Sequence, residues 1–338
     1  MAEVAVLNAG GWGTALALSL ARSGHAVRLW TRRAEQADLL ARTRINETYL
    51  PGVPLEPAIL PTADLAEAVD GCSAAVVVPI SAALRDLAHR LGPILPDDAL
   101  VVHGTTGLER ETLLRLSQVI ESELRPTHHG RVAALSGPTH AEEVGRGVPT
   151  AAVVACPDPA SAEALQAIMT SPTFRIYTNT DLIGVELCGA LKNVVALATG
   201  VGDGLGGGDN GRAALMTRSL AEIGRLVVAA GGRAETVAGL AGIGDLIATC
   251  TSRHSRNRRA GELIGQGWPL ERVLAQTPQV VEGVPATRAA LALARRFGVS
   301  MPIVEQAHAV LFEGRDPRDA MTELLARDPT AERWGRVP

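Results

Sequence analysis

The sequence predicts an α/β fold, a Rossmann-type doubly wound parallel sheet followed by a mostly α-helical second domain. Three observations carry that expectation. Short apolar runs alternate with helix-period segments through the first half of the chain, the rhythm of βαβ units in a sheet buried on both faces. From Asp181 onward the pattern is helical almost throughout. The chain has 338 residues, more than the roughly 250 at which a single core tends to stop growing, so two domains are expected, residues 1–180 and 181–338.

Taken in order, VAVL at residues 4–7 reads as the first strand, and TALALSLARSG at 14–24 as the helix behind it. AVRLW (26–30), AAVVVPIS (74–81), ALVVHGT (99–105) and RVAALSG (131–137) read as further buried strands, with a helix over SAALRDLAHRLGPIL. TAAVVAC (150–156) and FRIYTN (174–179) complete the sheet. In the helical half, the glycine run VGDGLGGGDN (201–210) reads as a long loop between two helices.

Composition narrows the chemistry. Hydrophobic residues make up 46% but aromatics only 3%, so the core is built from Ala, Val and Leu, which suits helices packed on a parallel sheet. A net charge of −4 gives no global attraction to nucleic acid or to an anionic membrane, which favours a small-molecule substrate. The four cysteines, Cys72, Cys156, Cys188 and Cys250, are far apart and show no metal-ligand spacing; reduced thiols in a cytoplasmic protein are expected, with no metal. The N-terminus runs straight into a strand with no signal-peptide pattern, and Lys192 and Asn193 interrupt the longest apolar stretch, arguing against a membrane span.

Residues 8–17, NAGGWGTALA, follow a strand and open a helix, the context of a dinucleotide-binding G-x-G-x-x-G loop. Asn8 stands where the first glycine is expected, and asparagine is the side chain that best tolerates positive φ. Gly10 is the second glycine, where backbone approaches a pyrophosphate, and Gly13 the third, where helix lies against strand; Gly11 and Gly13 are expected in a small loop. The second strand ends in Thr31-Arg32-Arg33 rather than in Asp or Glu. Two guanidiniums suit a 2′-phosphate, so NADP is favoured over NAD.

Of the 32 basic residues, 31 are Arg and one is Lys. That residue, Lys192, lies in GALKNVVAL, where helical spacing puts Glu186, Gly189, Lys192 and Asn193 on one side. Arginine is effectively never deprotonated, whereas a lysine amine in apolar company is open to a pKa lowered by desolvation, as proton transfer near neutral pH requires. Codon bias that spared one lysine is the bland alternative. Asp245, in a glycine-flanked apolar segment, would on its own read as a helix N-cap.

These segments together, GGWGTALA, NETYLPG, VVVPIS, TGLE, SGPTHAEEV, FRIYTNTDLIGVELCGALKNVVA, GDGLGGGDNGRAALMTR, GLAGIGDLIATCTSRHSRNRRAG, VVEGV and MPIVEQ, closely resemble the bacterial-type NAD(P)-dependent glycerol-3-phosphate dehydrogenases over nearly the whole chain. The resemblance implies interconversion of sn-glycerol 3-phosphate and dihydroxyacetone phosphate for phospholipid synthesis, by a homodimer. It implies that Lys192 is the general acid/base with Asp245 as catalytic partner, and that Asn193, Asp245 and Thr249 surround the reacting end of the substrate. Gly137 and Thr139 match further substrate contacts, and Ser255, Arg256 and Asn257 the segment that holds the substrate phosphate, an arginine and amide donors at a helix start. Gly10, Gly11, Trp12, Gly13, Arg32, Arg33, Tyr49, Ala141, Arg256, Val280 and Glu282 match the cofactor side. Thr106 belongs with them, but stands where the family usually carries a lysine, so it offers a hydrogen bond without a charge.

Two other readings of the chain compete. A reductase of 3-hydroxy acids or ketopantoate with the same architecture would have no use for a phosphate-binding segment beside the lysine helix. A non-catalytic NADP(H)-binding regulator would show no turnover. The basic run Arg253 to Arg259 as a nucleic-acid patch is disfavoured by the acidic chain and the absence of interleaved aromatics.

Overall fold

The computed structural model describes residues 1–252, 255–276, 280–329 and 332. By contacts the chain divides into two compact units, Met1–Glu109 with Leu114–Leu182, and Arg110–Leu113 with Ile183–Pro338.

Ten strands lie in the first unit: β1 Glu3–Leu7, β2 Ala26–Trp30, β3 Ile45–Asn46, β4 Leu50–Pro54, β5 Ile59–Thr62, β6 Ala74–Val77, β7 Leu100–His103, β8 Val132–Ser136, β9 Thr150–Ala155 and β10 Phe174–Asn179. Eight form one sheet in the order β10-β9-β8-β7-β6-β1-β2-β5. From β5 to β8 every pairing is parallel, and the order reverses between β1 and β6, the doubly wound switch point outside which ligands bind in such sheets. β9 pairs antiparallel with β8, so the expected parallel sheet carries one antiparallel seam, with β10 parallel to β9 beyond it. The expected strands form; β5 and the small antiparallel β3–β4 pair were not foreseen.

Seven helices accompany these strands: α1 Gly11–Arg22, α2 Ala34–Thr43, α3 Leu65–Val69, α4 Leu84–Leu91, α5 Leu116–Glu123, α6 Ala141–Gly145 and α7 Pro159–Met169. Side-chain alternation explains why β1 is apolar at all of residues 4–7. Val4 and Val6 of β1 join a core with Leu16, Leu20, Leu165 and Phe174. Ala5 and Leu7 face the opposite core with Leu84, Leu87, Leu116 and Ile120.

The second unit is helical: α8 Leu182–Gly204, α9 Gly208–Ala229, α10 Ala234–Val237, α11 Asp245–Thr251, α12 Arg256–Gly265, α13 Leu270–Ala275, α14 Gly283–Phe297, α15 Pro302–Phe312 and α16 Pro317–Leu325. By length and composition α8 could cross a membrane, but 83% of its most apolar window is buried inside the protein, as in a central core helix. The glycine run read as a long loop is mostly helix: α8 continues to Gly204 and α9 starts at Gly208.

Candidate active site

In the first unit the parallel strands end on one side of the sheet, and the segments that follow them carry the residues singled out for cofactor binding. Asn8 closes β1 at φ 110°, the positive φ that makes an asparagine acceptable there. Its Nδ2 donates to the Val78 carbonyl at 3.1 Å, tying the ends of β1 and β6 together at the switch point. α1 begins at Gly11, so Gly11 and Gly13 lie in its first turn rather than in a loop, and only Gly10 precedes it. A Cβ on Gly13 would lie 2.0 Å from the Asn8 carbonyl oxygen, and one on Gly11 would lie 2.8 Å from the Tyr49 carbonyl oxygen.

This cradle fits a pyrophosphate. The first amides of a helix have no intrahelical partner, and α1 has neither a side-chain cap nor an acidic residue in its first turn, so its positive end is left for an anion. Residues not singled out from the sequence hold the loop in shape. The Ala9 carbonyl accepts from Asn46 Nδ2 and Gln36 Nε2, both at 3.0 Å, and Asn46 also donates to Thr14 Oγ1 at 2.7 Å. Asn46 belongs to NETYLPG, which was the available signal for its importance.

Trp12 packs edge-on to Phe174, ring centroids 6.5 Å apart, so its side chain serves the core. Arg32 and Arg33 are exposed beyond β2; Arg33 Nη2 donates to Gln36 Oε1 at 3.3 Å. Thr106 lies just past β7, beside Thr105, whose hydroxyl donates to the Pro79 carbonyl at 2.7 Å. Past β8, Thr139 Oγ1 donates to the carbonyl of Gly137 at 3.1 Å, and Ala141 opens α6.

In the second unit, Lys192 of α8 donates through Nζ to Asp245 Oδ2. Thr249, one turn along α11, donates to Asp245 Oδ1 at 3.2 Å. The lysine side chain is 14% exposed and the aspartate 4%, so the pair is nearly dry and the lysine is its less buried member. The carboxylate is thus spent on Lys192 and Thr249, and the residue preceding α11 is Gly244. A π-helical turn, Leu240–Gly244, leads into Asp245, a distortion frequent at functional sites. Gly242 makes it possible, since a Cβ there would lie 1.9 Å from the Val237 carbonyl oxygen. Cys250 lies close by, but burial pushes its thiol up to about 12, leaving no thiolate near neutrality.

Asn193 and Asn257 are buried together: Asn257 Nδ2 donates to Asn193 Oδ1 at 2.9 Å, and the Gly283 amide donates to Asn257 Oδ1 at 2.8 Å. Ser255 caps α12 by accepting from the Arg258 amide. That helix is amphipathic rather than apolar, burying Asn257, Ala260, Gly261 and Ile264. Arg256 Nη1 donates to the Val280 carbonyl at 3.1 Å, and Glu282 stands at the start of α14. Arg253, the first residue of the basic run, lies outside the described residues. Among the described residues no group of three or more His, Cys, Asp or Glu could hold a metal ion.

Residues 3–162 match the family model described as NAD-dependent glycerol-3-phosphate dehydrogenase N-terminus, and residues 181–322 match the corresponding C-terminus model. The chain belongs to the NAD-dependent glycerol-3-phosphate dehydrogenase family. It is 55% identical over 330 residues to glycerol-3-phosphate dehydrogenase (NAD(P)+) of Moorella thermoacetica, covering 98% of this chain and 97% of that one. The enzyme of the same name from Desulfitobacterium hafniense is 51% identical, covering 97% and 92%. The crystal structure of glycerol-3-phosphate dehydrogenase from Coxiella burnetii superimposes with a TM-score of 0.90 at 40% identity, covering 96% of this chain and 99% of that one. In this chain Lys192 of α8 and Asp245 and Thr249 of α11 form one hydrogen-bonded group.

Proposed function

We propose that this chain interconverts sn-glycerol 3-phosphate and dihydroxyacetone phosphate with NAD(P), NADP being favoured, and so supplies the glycerol backbone of phospholipids. The observation that carries the reading is the chain's one lysine, nearly buried and hydrogen-bonded to Asp245, beside a helix start that carries Ser255, Arg256 and Asn257. The nicotinamide, when bound, supplies or accepts the hydride.

The chain's own residues handle the proton and the phosphate. In reduction, the Lys192 ammonium gives a proton to the C2 oxygen as charge develops on it; in oxidation, the neutral amine takes that proton back. Asp245 holds the amine in place and balances its charge, and Thr249 fixes the carboxylate. Asn193, with its carbonyl oxygen committed to Asn257, keeps its amide hydrogens for the substrate. Arg256 and the first amides of α12 meet the phosphate, with Gly137 and Thr139 as further substrate contacts. Gly10, Gly11 and Gly13, with the backbone of Trp12 and Tyr49, Thr106 and Ala141, hold the dinucleotide, and Arg32 and Arg33 meet its 2′-phosphate. Val280, Glu282 and Arg256 complete the cofactor contacts. Residues 1–180 act as the dinucleotide-binding domain and residues 181–338 as the catalytic domain, in a cytoplasmic homodimer.

Turnover tests this reading. The purified chain should oxidise NADPH in the presence of dihydroxyacetone phosphate, and at least about 100-fold less efficiently with unphosphorylated dihydroxyacetone, because a charge-assisted phosphate site contributes roughly 3 kcal/mol. Equal rates with ketopantoate, or no turnover at all, would rule it out.

A further inference from the structure

We propose that Asp203 is a positioning residue for the substrate phosphate. It acts through Arg258 to set the first turn of α12, and the proposal rests on the reading that this turn binds the phosphate. Asp203 sits in the last turn of α8, where the negative end of the helix dipole disfavours a carboxylate, and its side chain is only 8% exposed. Two guanidiniums offset that placement. Arg258 Nε donates to Asp203 Oδ2 at 2.7 Å, and Arg212 donates through Nε and Nη2 to Oδ1 at 2.9 and 2.8 Å. One carboxylate therefore joins α8, α9 and α12.

The backbones of α8 and α12 are in direct contact beneath this node. A Cβ on Gly200 would lie 2.0 Å from the Arg258 carbonyl oxygen, and one on Gly261 would lie 2.0 Å from the Leu197 carbonyl oxygen. Gly204 and Gly265 repeat the arrangement one turn further on, with Cβ positions 2.2 Å from the Glu262 and 2.3 Å from the Val201 carbonyl oxygens. Lys192 and Asn193 belong to α8, and Ser255, Arg256 and Asn257 to the start of α12, so this crossing sets the distance from the proton-transfer group to the phosphate-binding turn. At these four glycines no side chain interlocks across the crossing, so less resists sliding or rotation there. Arg258, in the same turn as Arg256 and Asn257, supplies the missing restraint through Asp203. The pairing also occupies a cation that would otherwise compete with Arg256 for the phosphate, two residues away.

Asp203→Asn, Arg258→Gln and the double variant test the proposal, with inorganic phosphate as a competitive inhibitor against dihydroxyacetone phosphate. Loss of a charge-assisted restraint should raise KM for dihydroxyacetone phosphate and Ki for phosphate together, each about tenfold, with kcat within about twofold of the wild type. Arg258→Gln should reproduce the shift even if Asp203→Asn fails to fold, and the double variant should lose no more than either single variant. A folded Arg258→Gln or Asp203→Asn protein with unchanged KM and Ki, or additive losses in the double variant, would overturn the proposal. A wild-type chain that does not reduce dihydroxyacetone phosphate would instead refute the function on which it rests.

Discussion

Asn8 shows how one residue can replace a glycine when its side chain offsets the backbone strain. At φ 110° a side chain costs about 1–2 kcal/mol relative to glycine, while the Nδ2 bond to the Val78 carbonyl returns about 1 kcal/mol. Asn8→Gly should therefore leave stability nearly unchanged, within about 1 kcal/mol; a thermal midpoint lower by more than about 4 °C would show that the Val78 bond outweighs the strain. Gly13 has no such exchange available, because its Cβ position lies on the Asn8 carbonyl oxygen. Arg32 and Arg33 pose a different question at the same scale, since both are exposed and are proposed to meet a bound 2′-phosphate. Their replacement by Ala should reduce the NADPH-over-NADH ratio of kcat/KM by roughly 5- to 30-fold, the equivalent of 1–2 kcal/mol at a partly exposed site. A double variant that keeps the wild-type ratio would show that cofactor choice is made elsewhere.

Helix ends and crossings determine how the second unit is assembled. α15 begins at Pro302 with no side-chain cap of its own, and Glu222 of α9 takes that role, its Oε1 accepting from the Ile303 amide at 3.0 Å. Burial pushes the Glu222 carboxyl up to about 7, with a smaller push from Glu305, against the Ile303 and Val304 amides and Arg225. The folded chain thus holds this proton more tightly than the unfolded chain, whose carboxyl titrates near 4.5. Its contribution to stability is full below pH 4.5 and is lost as pH rises to 7, by at most about 3 kcal/mol. Glu222→Gln keeps an acceptor for Ile303 and should flatten that slope in urea titrations at pH 5 and pH 8; an unaltered slope would place the titrating group elsewhere. Elements such as β1 and β6 were legible in the sequence because both faces of the sheet are covered, making residues 4–7 and 74–77 apolar throughout. β4, with Pro51, Gly52 and Pro54, and β5, with Pro61 on a sheet edge, carry residues that read as turns, and only their edge or hairpin placement admits proline. The run at 201–210 misled for a related reason: Gly204 within it serves backbone contact with α12, a tertiary demand that resembles a loop in sequence.

Across the whole molecule, the site was legible wherever chemistry limits the choice of residue and obscure wherever support is shared among distant segments. A lone lysine among 31 arginines, and glycines after a first strand, are local signals. The stitching of Ala9 by Gln36 and Asn46, or of Asp203 to residues 9 and 55 positions away, appears only once the chain is folded. The similarity to relatives extends over 98% of the chain, so the two units and the residues that distinguish them are compared as one protein. The proposed mechanism requires that Lys192 move the proton rather than only supply charge. Lys192→Arg separates the two, because it keeps the positive charge and a similar helix propensity while removing any capacity to act as a base. On one preparation of the variant, the NADPH dissociation constant, the thermal midpoint and kcat for dihydroxyacetone phosphate should be measured together. Proton transfer by Lys192 predicts little change in the first two and a loss in kcat of at least about 100-fold, the lower range of general acid/base contributions. A folded variant that binds NADPH and still works at more than about a tenth of the wild-type rate, far above that range, would contradict it.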